Sequence, residues 1–194
     1  MTLTIAHQES YARDQLIIRT LFGWLYIGVP HVLLLLFVGV WSLINCFLTF
    51  WIALFTERFP RGIFDRQVEY LNWGLRVAAS LANLVDGYAD FFPGGSSEKV
   101  SLKVEYPERL RWWLVLLRFL FGLVFVGIPH GICLLGRFVA TLALMILAWW
   151  AVLITRRYPA GWHAFNVGTF RWLLRVVLYL GFFTEEYPRF SGKE

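Results

Sequence analysis

Two long apolar stretches dominate the chain, each bounded by charge. The first runs from Thr20 to Thr56, 37 residues without a charged side chain, about twice the roughly 18 apolar residues that mark a membrane span. The second extends from Leu114 to Ile154 and contains Arg118 and Arg137. A turn follows each stretch, Phe59-Pro60-x-Gly62 and Tyr158-Pro159-x-Gly161, and then a further helix, expected over 62–85 and 161–183. In the first of these, Phe64, Val68, Leu71, Leu75, Ala78 and Ala82 share one face, beside a narrow stripe of Asp65, Glu69, Asn72, Arg76 and Asn83. A wide apolar face with a thin polar stripe predicts a helix lying along an interface. Strict alternation over 101–106, and more weakly over 3–5, predicts two short strands able to pair and tie the halves together.

The pattern is written twice. Residues 19–91 align with 118–190 at a constant offset of 99, without a gap, and 26 of the 73 positions are identical. Arg19-x-Leu-Phe-Gly23 returns as Arg118-x-Leu-Phe-Gly122, Pro30-His31 as Pro129-His130, Arg58-Phe-Pro60 as Arg157-Tyr-Pro159, and Trp73-x-Leu-Arg-Val77 as Trp172-x-Leu-Arg-Val176. A duplicated hydrophobic unit predicts a pseudo-symmetric pair.

A straight helix over the 37 residues of the first run is about 55 Å long, against a hydrocarbon layer of about 30 Å. Basic residues flank both ends of each run: Arg13 and Arg19, then Arg58, Arg61 and Arg66; Arg109, Arg111 and Arg118, then Arg156 and Arg157. Because cytoplasmic flanks carry the positive charge, both ends belong on one side. This predicts a helical hairpin turning near Gly39 and near Gly136-Arg137, with Arg137 at a wet tip. The spans would lie near 20–38, 40–56, 117–135 and 138–155. The competing reading is a short interfacial helix ending at Pro30, followed by one span from His31 to Thr56. The expected fold is therefore an all-α integral membrane protein of two tandem pseudo-symmetric repeats. Each is a transmembrane helical hairpin (or one broken span) plus an amphipathic interfacial helix, with short N-terminal strands. Repeat 1 covers 1–92, a Gly/Ser linker 93–101 and repeat 2 102–194.

Composition strengthens the class. The chain is 58% hydrophobic and 16% charged, with mean hydropathy +0.59, too apolar for an ordinary soluble domain. Ten Trp and eight Tyr suit a surface at a lipid–water boundary. The start, Met1 to Asp14, lacks the pattern of a cleavable signal, so the first apolar segment is expected to target the chain. Cys46 and Cys133 sit in apolar runs at non-equivalent positions and read as buried thiols. Net charge +5 does not imply nucleic acid, because the arginines border apolar runs where topology and anionic lipid account for them.

Candidate chemistry is sparse. The repeated Pro30-His31 and Pro129-His130 are the one ionisable feature duplicated inside the apolar runs. Two imidazoles related by a two-fold could share a metal or proton, but no carboxylate or cysteine recurs beside them. Proline frees a backbone carbonyl one turn earlier, which a polar side chain can satisfy, and a structural role is the better reading. Arg76, Arg171 and Arg175 are expected at phospholipid headgroups. No nucleophile–base pair, metal motif or phosphate-cradling glycine loop is present, and no cofactor is expected.

Together these motifs resemble the small bacterial membrane proteins of domain-of-unknown-function family 4389. The second copy carries Tyr106-Pro-Glu-Arg-Leu110, Ile128-Pro-His130, Ile154-Thr-Arg-Arg-Tyr-Pro159, Phe165-Asn-Val-Gly168, Arg171-Trp172, Arg175-Val176 and Thr184-Glu-Glu-Tyr-Pro-Arg-Phe-Ser191. The first copy keeps Val29-Pro-His31 and Phe55-Thr-Glu-Arg-Phe-Pro60 but ends Val85-Asp-Gly-Tyr-Ala-Asp-Phe91, without the closing proline. The resemblance implies an inner-membrane protein and brings no activity, substrate or cofactor with it. The expected role is a non-catalytic scaffold or interaction subunit of a membrane complex. It would contact anionic lipid and a membrane-protein partner or a second copy, with multi-pass topology and cytoplasmic termini. The alternative is a small-solute, ion or lipid transport component acting between the repeats. Near the expected midplane only Ser42, Asn45, Thr49, Thr141 and the two histidines are polar enough to serve it.

Overall fold

The computed structural model describes residues 1–90, 95 and 97–193. Its elements are β1 (Thr2–Ile5), α1 (Arg13–Thr56), α2 (Arg61–Leu81), β2 (Val100–Lys103), α3 (Trp112–Thr155) and α4 (Ala160–Leu180). Every helix boundary of the first half returns 99 residues later in the second, so the two halves are built alike. Much of the linker, at 93, 94 and 96, lies outside the described residues.

The hairpins are not formed. Each apolar run belongs to one helix of 44 residues, a contour of about 66 Å. Gly39 and Gly136, the expected turns, sit inside helix with nothing within 4 Å of where a Cβ would stand. An isolated glycine among good helix formers costs only about 1 kcal/mol relative to alanine and does not by itself reverse a chain. The helix does not end at Pro30 either. Trp24–Gly28 and Leu123–Gly127 form single π turns immediately before Pro30 and Pro129. Prolines and π turns are where long helices change direction.

Pro60 and Pro159 start the following helices. Each carbonyl accepts the first two turn-closing amides, from Ile63 and Phe64 and from Trp162 and His163, and a proline lacks only an N–H that a helix start leaves unpaired. α1 and α3 each stop on a left-handed residue, Glu57 (φ 55°) and Arg156 (φ 60°).

The strands pair antiparallel, with Thr2 opposite Lys103, Leu3 opposite Leu102 and Ile5 opposite Val100. All four ends of the long helices gather near this ribbon. Tyr11 N–H donates to the Arg156 carbonyl (2.9 Å) and its counterpart Leu110 N–H to that of Glu57 (2.8 Å). One core joins Leu3, Ile5, Leu16, Val100, Leu102, Ala148 and Val152. A second joins Phe50, Ala53, Phe59, Phe64, Leu110, Val115 and Phe182. Between their ends the long helices are bare: only 11% and 17% of their most apolar stretches is buried inside the protein.

Candidate functional site

In both repeats the histidine of the Pro-His pair is buried against a tryptophan, and a half-exposed tyrosine stands beside the carbonyl that the proline leaves free. Pro30 has no N–H to give the carbonyl four residues back, at Tyr26, and Tyr88 O–H donates to that carbonyl instead (3.2 Å). The His31 Nε2–H bonds Tyr88 Oη (3.2 Å), and Trp73 Nε1–H donates to His31 Nδ1 (3.0 Å). An indole N–H can only donate, so Nδ1 must keep its lone pair and the proton sits on Nε2. The sequence reading gave the proline-freed carbonyl to a polar side chain. The structure gives it to the tyrosine, with histidine one step behind.

Repeat 2 copies the start of this hydrogen-bonded chain. Trp172 Nε1–H donates to His130 Nδ1 (2.8 Å), and Tyr187 O–H reaches the Phe125 carbonyl at a longer 3.4 Å. Here Phe190 lies flat on the imidazole, 3.8 Å between ring centroids, and His130 Nε2 has no hydrogen-bond partner among the described residues. Both histidines are fully buried, and each is held by its own repeat's tryptophan. Among the described residues no group of three or more His, Cys, Asp or Glu could hold a metal ion. The two cysteines are free, Cys133 on the exposed surface of α3 and Cys46 half-buried.

Arg137 is packed against α4 rather than set at a tip. Its Nε donates to Thr169 Oγ1 (3.0 Å), its Nη2 to the Phe165 carbonyl (3.0 Å), and its guanidinium lies 4.1 Å over the Phe165 ring. Room for it comes from two glycines. A Cβ on Gly168 would stand 2.8 Å from Arg137 Nη2, and one on Gly192 only 2.5 Å away.

The three arginines expected at headgroups are turned onto the chain itself. Arg76 donates to the Gly95 carbonyl (2.7 Å), Arg171 to that of Gly192 (2.9 Å), and Arg175 to those of Ser191 (3.2 Å) and Lys193 (2.8 Å). They hold the segments that fold back over the Pro-His sites after α2 and α4. Burial pulls the Arg76 guanidinium below its usual range, and Asp90 opposes that pull. Arg58 and Arg157 are exposed beyond the ends of α1 and α3.

Two residues with a structural task went unrecognised in the sequence. Arg19 is buried, donates to the Val85 carbonyl and pairs with Asp86 (2.9 Å). Its counterpart Arg118 donates to the Tyr179 and Thr184 carbonyls (3.0 and 2.6 Å), beneath the Tyr179 ring. Both close the C-terminal end of the neighbouring helix, where orphan carbonyls favour a cation. Their recurrence at fixed offset was the available signal, masked because each reads as one more flanking charge.

Of the polar residues in the apolar runs, Thr141 faces its own repeat's second helix, whereas Ser42, Asn45 and Thr49 border space shared with Gly181 and Phe183 of the other repeat. Thr141 bonds Thr169 (2.8 Å), and Asn45 Nδ2 donates to the Trp41 carbonyl (3.0 Å). Ser42, Asn45, Thr49 and Gln67 border a cavity of only about 30 Å³, room for about one water.

The junction between α4 and the N-terminus of the chain is polar. His7 Nε2 bonds the Tyr158 carbonyl (2.7 Å), His163 stands edge-on to His7 at 5.0 Å, and Asn166 donates to Tyr158 Oη (2.8 Å). Burial, reinforced by His7, holds His163 down to about 4, against the opposing pull of the Leu84 carbonyl. Burial pushes Tyr158 up to about 12, with the Asn166 bond opposing. The equivalent positions in the other junction are Tyr106, Phe59, Phe64 and Gln67, an aromatic cluster in which Tyr106 O–H donates to the Phe59 carbonyl.

Set against known protein families, curated proteins and solved structures, the chain matches none.

Proposed function

We propose that the protein is an integral membrane protein of the bacterial inner membrane, working as a non-catalytic scaffold or interaction subunit. We place it with family 4389 on the motifs given above. One observation carries the membrane reading. The most apolar stretches of two 44-residue helices are 83–89% outside the protein's own interior, as the 11% and 17% buried shares imply. Phe37, Leu43, Phe55, Leu123 and Ile132 are each more than two-thirds exposed, and apolar surface of this extent needs a partner phase. Because both ends of each long helix gather near one ribbon, we place the ribbon and helix ends on the cytoplasmic side. The bent middles lie in the hydrocarbon.

The scaffold reading rests on how the buried polar groups are used. His31, Arg19, Arg118, Arg137 and Thr141 are engaged with backbone carbonyls and neighbouring side chains, and among the described residues no group of three or more His, Cys, Asp or Glu is assembled for metal chemistry. The polar cavity beside Asn45 holds about one water, too little for a solute path. Arg58, Arg156 and Arg157, exposed beyond the long helices, are the side chains we assign to anionic headgroups, each worth about 1 kcal/mol near a charged surface.

The test is fractionation of the full chain followed by capture in mild detergent. Resistance to alkaline carbonate and recovery with a defined membrane-protein partner are expected. Release into the soluble fraction would sink the membrane reading, and turnover of any substrate by the purified chain would sink the scaffold reading.

A further inference from the structure

At one junction between the repeats a cavity of about 1070 Å³ opens between α1 and α3, bordered by Thr20, Trp24, Val32, Asn83, Met145 and Trp149. The pseudo-symmetry supplies an internal control, because the other junction has the same backbone and a different filling. Thr20 corresponds to Phe119, Asn83 to Phe182, Ile146 to Phe47 and Trp149 to Phe50 at the constant offset of 99. Phe119 stacks on Phe50 at 3.8 Å, with Phe47 and Phe182 within 6.5 Å of one or the other. Phe182 even takes a left-handed backbone (φ 69°) in order to sit there, a conformation costly for a bulky residue and natural for Asn83 (φ 53°). Where one junction holds four phenylalanine rings, its twin holds a hydroxyl, an amide, an isoleucine and an indole turned to bond Thr20 (2.8 Å).

Two residues that border this space, Arg19 and Asn83, each carry an unsatisfied polar atom. Asn83 Oδ1 and Arg19 Nε are buried and have no hydrogen-bond partner among the described residues. The walls beyond are aliphatic and indole, and the volume lies at the upper end of the range for small-molecule sites. A group that accepts from Arg19 Nε and donates to Asn83 Oδ1 is a hydroxyl. We propose that this groove binds one neutral membrane lipid with a hydroxyl-bearing glycerol head, its acyl chain replacing the missing rings. The proposal rests on the membrane reading above.

The probe is monoolein, with methyl oleate as the control that keeps the chain and loses the hydroxyls. Delipidated full-length protein in mild detergent is titrated with each and read by native mass spectrometry. One saturable monoolein adduct is expected, with methyl oleate at least tenfold weaker. Thr20→Phe and, independently, Ile146→Phe import the residues of the filled junction and should weaken monoolein at least tenfold while preserving the melting transition. If one variant fails to fold, the other carries the comparison. Equal binding of the two ligands would overturn the hydroxyl assignment, and undiminished binding in the folded variants would overturn the site. If the chain resists carbonate extraction yet retains no monoolein, the groove proposal fails alone. If the chain is carbonate-soluble, the membrane reading has failed first.

Discussion

Tyr88 is worth more than its repeat counterpart because it closes two bonds and Tyr187 only one. Removing its hydroxyl takes one bond each from the buried His31 Nε2–H and the partly exposed Tyr26 carbonyl, at about 1 kcal/mol per bond. Tyr88→Phe should therefore lower the melting temperature in detergent clearly more than Tyr187→Phe; an equal loss would mean the polar chain in repeat 1 has no energetic weight. His163 gives a pH signature. Its folded value of about 4 lies below the roughly 6.5 of an unfolded imidazole, so the unfolded chain takes the proton first. Stability is full above about pH 6.5, falls toward pH 4 and levels off below, by up to about 3 kcal/mol from this group. His163→Phe, the residue its counterpart Phe64 already is, should flatten that slope. Melting curves of both proteins between pH 7 and 4 test it, and an unchanged slope would assign the effect elsewhere.

The glycines separate the two readings of the apolar runs. At a hairpin tip Gly39 and Gly136 would resist substitution, whereas inside a helix with open space around them alanine should raise stability by up to about 1 kcal/mol each. Gly168→Ala should do the reverse, losing about 1–3 kcal/mol as the new methyl displaces Arg137 or the Gly192 carbonyl. Thermal melts of the three variants decide the matter: a destabilised Gly136→Ala would argue for the turn. The contrast also shows what the sequence could reveal. The constant offset revealed two halves built alike, alternation marked both strands, and the Pro-x-Gly turns placed the starts of α2 and α4 within one residue, but each long helix was expected as two spans. Continuity through Gly39 and Gly136 was hidden because charge at both flanks argues equally for a hairpin and for one helix bent back toward its own base. The Trp73–His31 and Trp172–His130 bonds were half legible: both partners recur, yet 42 residues of chain separate them, and nothing local says which ring meets which. The fate of Arg76, Arg171 and Arg175 was hidden for another reason. A cation reaching backbone carbonyls leaves no partner residue in the sequence.

At the scale of the whole molecule, a cysteine placed at Val40 or Val139, both exposed mid-helix, should resist water-soluble maleimide in intact membranes and react after detergent disruption. One at Ser191 should react only from the cytoplasmic side. Reaction of the mid-helix sites from outside the cell would restore spans that cross completely. The strand register carries a different consequence. Leu3 faces Leu102, its own image in the second copy, and Thr2 and Thr4 face Lys103 and Ser101, the images of Thr4 and Thr2. A pairing centred on one residue and its own image, with each flanking residue facing the image of the other, is what a two-fold homodimer makes. The ribbon therefore has the form of a subunit interface now closed within one chain. Separated, either half would present one unpaired strand and two uncovered helix ends, and would be expected to reassemble with its own kind. What duplication adds is a tether: a meeting that between separate halves would depend on their abundance becomes intramolecular, at an effective concentration of the order of millimolar. Once each copy is certain of its neighbour, the two junctions no longer need to be the same, and one can close on phenylalanine while the other stays open.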